Sequence, residues 1–121
     1  MEVFGYRKLK VYDKALLWVT EIYRLVKMLP VEEKYALCDQ LRRAAVSVTS
    51  NIAEGMSRTS NKEVAHFLEI SYGSLMEVQS QLEVALCIGY LTKNDIEEIE
   101  PLTEEIAKML SGLRSSKLIG I

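Results

Sequence analysis

Apolar residues recur along the chain at alternating steps of three and four, the mark of helices that bury one face. Ala15, Val19, Ile22, Val26 and Leu29 form a first line, which Pro30 stops. Leu37, Leu41, Ala45, Val48 and Ile52 form a second, with Glu32 or Glu33 near its start, where the positive end of the helix dipole favours acid. Gly55 and the polar run Ser57–Asn61 mark a turn, and Ser60 followed by Glu63 has capping-box spacing. Val64, Phe67 or Leu68, Ser71, Leu75, Val78, Leu82 and Ala85 carry a third line to Gly89, a suitable C-cap. Thr92 or Asn94 caps a fourth, whose face is Ile96, Ile99, Leu102, Ile106, Met109 and Leu113. Pro101 lies inside that pattern and predicts a kink, the alternative being a separate short first turn. The tail Ser115–Ile121 lacks periodicity and is expected to fray, although Leu118, Ile119 and Ile121 offer apolar contacts to a neighbour.

Helices over about 9–29, 33–56, 61–88 and 93–114, joined by short turns, predict an all-α, up-down-up-down antiparallel four-helix bundle. A length of 121 residues fits a single domain, 1–121. With 49% apolar and 26% charged residues the chain is not disordered, and two prolines and six glycines are too few for an all-β sandwich.

Placed at 100° steps, the second helix carries a polar strip beside its core face: Gln40, Arg43, Ser47, Asn51 and Glu54. Ser74, Glu77 and Gln81 form a shorter counterpart on the third. If these helices are antiparallel about a turn near Arg58, Arg43 lies level with Ser74 and about one turn from Glu77. An Arg43–Glu77 ion pair with Gln40 nearby is the expected structural network, since partly buried polar groups must be paired. The same construction leaves Tyr35, Val46, Thr49 and Ala53 on the outer side of the second helix and Ala65, Tyr72 and Met76 on that of the third. Charge normally occupies such positions, so these residues predict an oligomer interface.

Formal net charge is −2, against a protein that coats nucleic acid by bulk charge. The charge is uneven, however: residues 1–62 hold eleven Lys/Arg against seven Asp/Glu, and residues 63–121 hold four against ten. Such a split makes a dipolar surface or a local basic patch, unless the charges are only solvated helix faces. Arg7, Lys8, Lys10 and Lys14 cluster at the start of the first helix, while Arg42, Arg43, Arg58 and Lys62 lie on the second and its following turn. These eight are the candidate phosphate contacts for RNA or DNA.

Other chemistry finds little support. Glu63-Val-Ala-His66 has the spacing used by carboxylate-bridged di-iron bundles, but His66 is the only histidine and both residues project away from the core face. No metal and no cofactor is expected. Cys38 and Cys87 lack CxxC spacing and read as buried or half-buried thiols in a reducing cytoplasm. The N-terminus lacks the apolar core of a signal peptide, and the longest apolar stretch, Ala85–Leu91, is too short to span a bilayer. No nucleophile has a base beside it, and the chain is not expected to be an enzyme.

Gln40-Leu-Arg-Arg-Ala-Ala-Val-Ser47, Asn51-Ile-Ala-Glu-Gly55 and Phe67-Leu-Glu-Ile-Ser-Tyr-Gly-Ser-Leu-Met-Glu77 together resemble the rRNA intervening-sequence protein family. The resemblance runs from Phe4 to about Leu113, including Leu29-Pro30 and Gly89-Tyr-Leu91. It implies a bacterial four-helix bundle that assembles into a homopentamer. The accessory variability protein of diversity-generating retroelements, which binds nucleic acid and a reverse transcriptase, is similar. That likeness implies a positive surface on a ring. The rival expectation is a protein-interaction scaffold, whose outer apolar faces serve assembly and whose basic residues only keep it soluble.

Overall fold

The computed structural model describes residues 3–119. Four helices build it: α1 (Lys10–Val26), α2 (Leu37–Gly55), α3 (Asn61–Ile88) and α4 (Lys93–Leu118). Short 3-10 turns at Gly5–Lys8 and Val31–Glu33 precede α1 and α2, and no strand occurs among the described residues. α1 packs on α2 and α4, and α3 packs on the same two, which closes a four-helix square. Partners run in opposite directions: Trp18 meets Thr103 and Lys14 meets Glu105 across α1–α4, while Gln40 meets Gln81 and Ser47 meets Ser74 across α2–α3. The bundle is antiparallel and up-down-up-down, as its periodicity predicts. No helix among the described residues is long and apolar enough to cross a membrane.

The core follows the predicted lines with three changes, the smallest at the start of α2, where Leu37 is half-buried and Cys38 buried. Val11, Trp18 and Leu25 join Ala15 and Ile22 in α1, and Val19 is only half-buried. On α4 the buried face is Ile96, Ile99, Thr103, Ile106 and Leu110, leaving Leu102, Met109 and Leu113 half-buried. Trp18 explains the rotation. A buried indole N–H needs an acceptor, and Thr103 supplies one at 2.9 Å while donating its own proton to the Ile99 carbonyl at 3.1 Å. On α3 Leu68 is the core residue and Phe67 is half-buried.

The ends differ most where remote partners set them. α1 stops at Val26, because Met28 and Leu29 tighten into i→i+3 bonds to Leu25 and Val26 ahead of Pro30. α2 starts at Leu37, four residues later than predicted, after Ala36 leaves helical geometry at φ −118°, ψ −103°. Glu33 still serves that end from outside: its carboxylate accepts from the Leu37 N–H at 3.4 Å and from the Tyr90 hydroxyl at 3.0 Å. The second bond raises the Tyr90 phenol above its ordinary value and ties the α3–α4 turn to the α1–α2 loop. α3 begins and ends where predicted, with Ser60 Oγ accepting from the Glu63 N–H at 3.1 Å and Gly89 at φ +100°. Thr92, not Asn94, caps α4 in a reciprocal box with Asp95, whose carboxylate the Thr92 backbone and hydroxyl hold below its usual range.

α4 then runs through Pro101 as one helix, which removes the two-piece alternative. Pro101 and Glu97 are both exposed, so the carbonyl that loses its donor to the proline lies on the solvent side of the helix. Contrary to the expectation of a frayed tail, 115–118 is helical, and only Ile119 of the described residues lies beyond it. Ile121 lies outside the described residues.

Candidate nucleic-acid interface

The polar strip is a seam between α2 and α3. Ser47 and Ser74 share a 2.8 Å hydrogen bond. Asn51 donates to the Ser47 carbonyl at 2.8 Å and to its hydroxyl at 2.9 Å. The fully buried Ser71 donates to the Val48 carbonyl at 2.8 Å. Gln81 reaches Gln40 at 3.4 Å and Glu77 at 3.1 Å. Gly55 sets this register: a Cβ there would meet the Phe67 Cβ at 2.7 Å, so the helices touch at that level.

The expected Arg43–Glu77 pair does not form. With Ser47, not Arg43, level with Ser74, the helices are offset by one turn from that register. Arg43 is 82% exposed in its side chain and pairs with Asp39 at 3.3 Å. Glu54 also stays on its own side, binding Arg58 at 2.8 Å.

The fold redistributes charge along the bundle axis. α1 begins, α2 ends, α3 begins and α4 ends at the same end. Residues 3–14, 47–72 and 108–119 make up that half and hold nine Lys/Arg against four Asp/Glu. The other half, residues 15–46 and 73–107, holds six against twelve, so the bundle is an axial dipole. Arg7, Lys8, Lys10, Lys14, Arg58 and Lys62 fall in the basic half. Lys108, Arg114 and Lys117 join them, although their distance along the chain hid them from sequence reasoning. Arg42 and Arg43 fall in the acidic half, beside Asp39 at 3.2 and 3.3 Å.

Some of the basic residues are already engaged. Lys14 binds Glu105 at 2.6 Å, Arg114 lies 3.6 Å from Glu69, and Arg58 binds Glu54 while its guanidinium covers the Phe67 ring at 4.7 Å. Arg7, Lys8, Lys10, Lys62 and Lys117 are in no ion pair among the described residues. A cation without an internal partner has the most to offer a phosphate.

Two apolar surfaces lie elsewhere. Between α1 and α2 a groove of about 500 Å³ is lined by Val19, Thr20, Tyr23 and Val46, with Arg24 and Lys27 at its rim. Leu16, one turn before Thr20, is 45% exposed. On α3, Tyr72 and Met76 are partly exposed, and Gly73 has no chain atom within 4 Å of a built Cβ. Val46, Tyr72 and Met76 therefore stand outside as predicted, with Thr49 and Ala53 half-buried. Tyr35 is exposed but precedes α2, and Ala65 is buried, a correction to its expected outer placement.

No group of His, Cys, Asp and Glu among the described residues could hold a metal ion. Glu63 and His66 are both exposed. Cys38 is buried against the Val26 carbonyl, and burial pushes its thiol up; Cys87, expected at least half-buried, is exposed.

The 23S rRNA-intervening sequence protein family matches residues 7–112, nearly the whole bundle. The chain belongs to that family. A solved structure from Bacteroides thetaiotaomicron, a protein of unknown function from the S23 ribosomal protein family, superposes with a TM-score of 0.78 at 28% identity. The superposition covers 86% of this chain and 97% of that one. No curated protein matches the chain. In this rRNA-intervening sequence protein, the segments Gln40–Ser47, Asn51–Gly55 and Phe67–Glu77 that carry the sequence resemblance are the two sides of the α2–α3 seam. The resemblance thus rests on packing residues rather than on the basic half.

Proposed function

We propose that this intervening-sequence protein is a non-enzymatic, cytoplasmic, self-assembling bundle that binds RNA or DNA through its basic half. The observation that carries the reading is the axial dipole: an acidic chain folds so that Arg7, Lys8, Lys10, Lys62 and Lys117 gather in one half, in no ion pair among the described residues. Assembly multiplies such a patch by its copy number. The α1–α2 groove and the outer face of α3 are different surfaces, and a contact between them is head-to-tail, the geometry that generates rings when it closes. The pentamer implied by the sequence resemblance is such a ring.

Fluorescence anisotropy with structured rRNA and random duplex DNA, at low and near-physiological salt, tests the reading. Binding should weaken steeply with salt, by about 0.9 in the logarithmic slope for each duplex phosphate neutralised. Replacing Lys8, Lys10 and Lys62 with Gln should reduce it, while Arg42→Gln with Arg43→Gln should not. Absence of binding at low salt would sink the proposal. A protein-interaction scaffold is the second reading, favoured by the open apolar groove at Tyr23 and Val46.

A further inference from the structure

The N-terminal segment contributes little to the core, since no residue of the Gly5–Lys8 turn is buried. It nevertheless brings three aromatic rings together. Tyr12, half-buried against the core, meets Tyr6 edge to face at 4.8 Å between ring centres, and Tyr6 meets Phe4 at 6.2 Å. The ladder steps outward to Phe4, which is 45% exposed. Arg7 lays its guanidinium over the Phe4 ring at 4.3 Å. Lys8 and Lys10 adjoin the rings in the chain and are exposed. Phe4 thus stays exposed beside Arg7, Lys8 and Lys10, none of which is in an ion pair among the described residues.

We propose that Phe4–Lys10, anchored by Tyr12, is a stacking platform for unpaired nucleobases. The inference rests on the nucleic-acid reading above and narrows it, because the ligand becomes a single-stranded or looped segment rather than a duplex. Every base has a π-face that stacks on an aromatic ring or a guanidinium plane, and a duplex hides that face. Lys8 and Lys10 take the phosphates beside the stacked bases.

Anisotropy titrations of the full chain with a short oligouridine, an oligothymidine and a duplex of equal length test the platform. Both single strands should bind more tightly than the duplex. A ribose preference would assign the source as RNA, and equal affinity would assign any unpaired strand. Phe4→Ala with Tyr6→Ala should cost the single strands about five- to a hundredfold and leave duplex affinity within about twofold. A strand carrying 2-aminopurine should be quenched by the native chain and not by this variant. Equal losses on single strands and duplex would mean that the rings only position the cations, which overturns the platform but not nucleic-acid binding. Unchanged affinity overturns it as well. No binding of any probe overturns both readings together. Far-ultraviolet circular dichroism confirms that the variant keeps its helices.

Discussion

Between α2 and α3 small polar residues meet one another; between α1 and α2 apolar residues meet solvent. In the first line Ser47, Ser71, Ser74 and Asn51 satisfy each other or a neighbouring carbonyl, and Gly55 lets the Phe67 turn come into contact. In the second, Tyr23 and Val46 are 38% and 41% exposed at the mouth of an apolar groove. Charges stand at the edge of each line, Arg24 and Lys27 beside the groove and Glu77 beside the seam, so charge alone does not separate them. Hydrogen-bond closure does. A closed polar line fixes register within one chain, whereas an open apolar line leaves buried area to be gained from another surface.

Substitutions that fill or empty each line sharpen the contrast. Gly55→Leu should act most strongly, because even a Cβ collides with the Phe67 Cβ at 2.7 Å. A loss of about 3 kcal/mol is expected from overpacking, read as a lower midpoint in urea. Ser47→Ala removes the group shared by Ser74 and Asn51 and should cost about 1–2 kcal/mol. An unchanged midpoint would show the seam to be hydrated. Asp95→Asn weakens the α4 capping box and should cost about 1 kcal/mol at neutral pH. Because folding lowers the Asp95 carboxyl below 3.8, native stability from this group is complete above that value and is lost as pH falls through the folded value. The difference between native and Asp95→Asn should therefore shrink in acid. Val46→Lys and Glu77→Ala should each move stability by less than about 0.5 kcal/mol, as surface changes do. They differ in assembly: Val46→Lys should lower the mass measured by light scattering, and Glu77→Ala should not. Equal masses for Val46→Lys and the native chain would remove the groove from any interface between copies.

What could be read from the chain was what neighbours in sequence decide. Both ends of α3 were legible because Ser60, Glu63 and Gly89 act within one turn of themselves. The start of α2 was not, because the Glu33 carboxylate that serves Leu37 is held by Tyr90, 57 residues away. The register set at Gly55 and Phe67 brings Arg43 level with Glu77, yet the pair does not form, because Arg43 points to solvent and turns to Asp39 on its own helix, an orientation that level arithmetic does not reveal. The polar strip itself is visible in the sequence, and hydrogen bonds link Ser47 with Ser74 and Asn51, and Gln81 with Gln40 and Glu77. The basic half is visible only in part, since the antiparallel return of α4 is what carries Arg114 and Lys117 to the end of the bundle where α1 begins. Thr103 was missed, although a tryptophan on a core line requires an acceptor somewhere opposite.

That tryptophan has a practical consequence. Trp18 is the only one in the chain, fully buried, with its indole N–H committed to α4. Its emission therefore reports the seating of α1 on α4 and nothing at the surface. Aqueous quenchers should reach it only when that pair of helices separates, whereas strand binding at Phe4 or contact at Val46 should leave its colour unchanged. Unfolding and association can thus be followed in one sample, the first by intrinsic fluorescence and the second by the scattering of light.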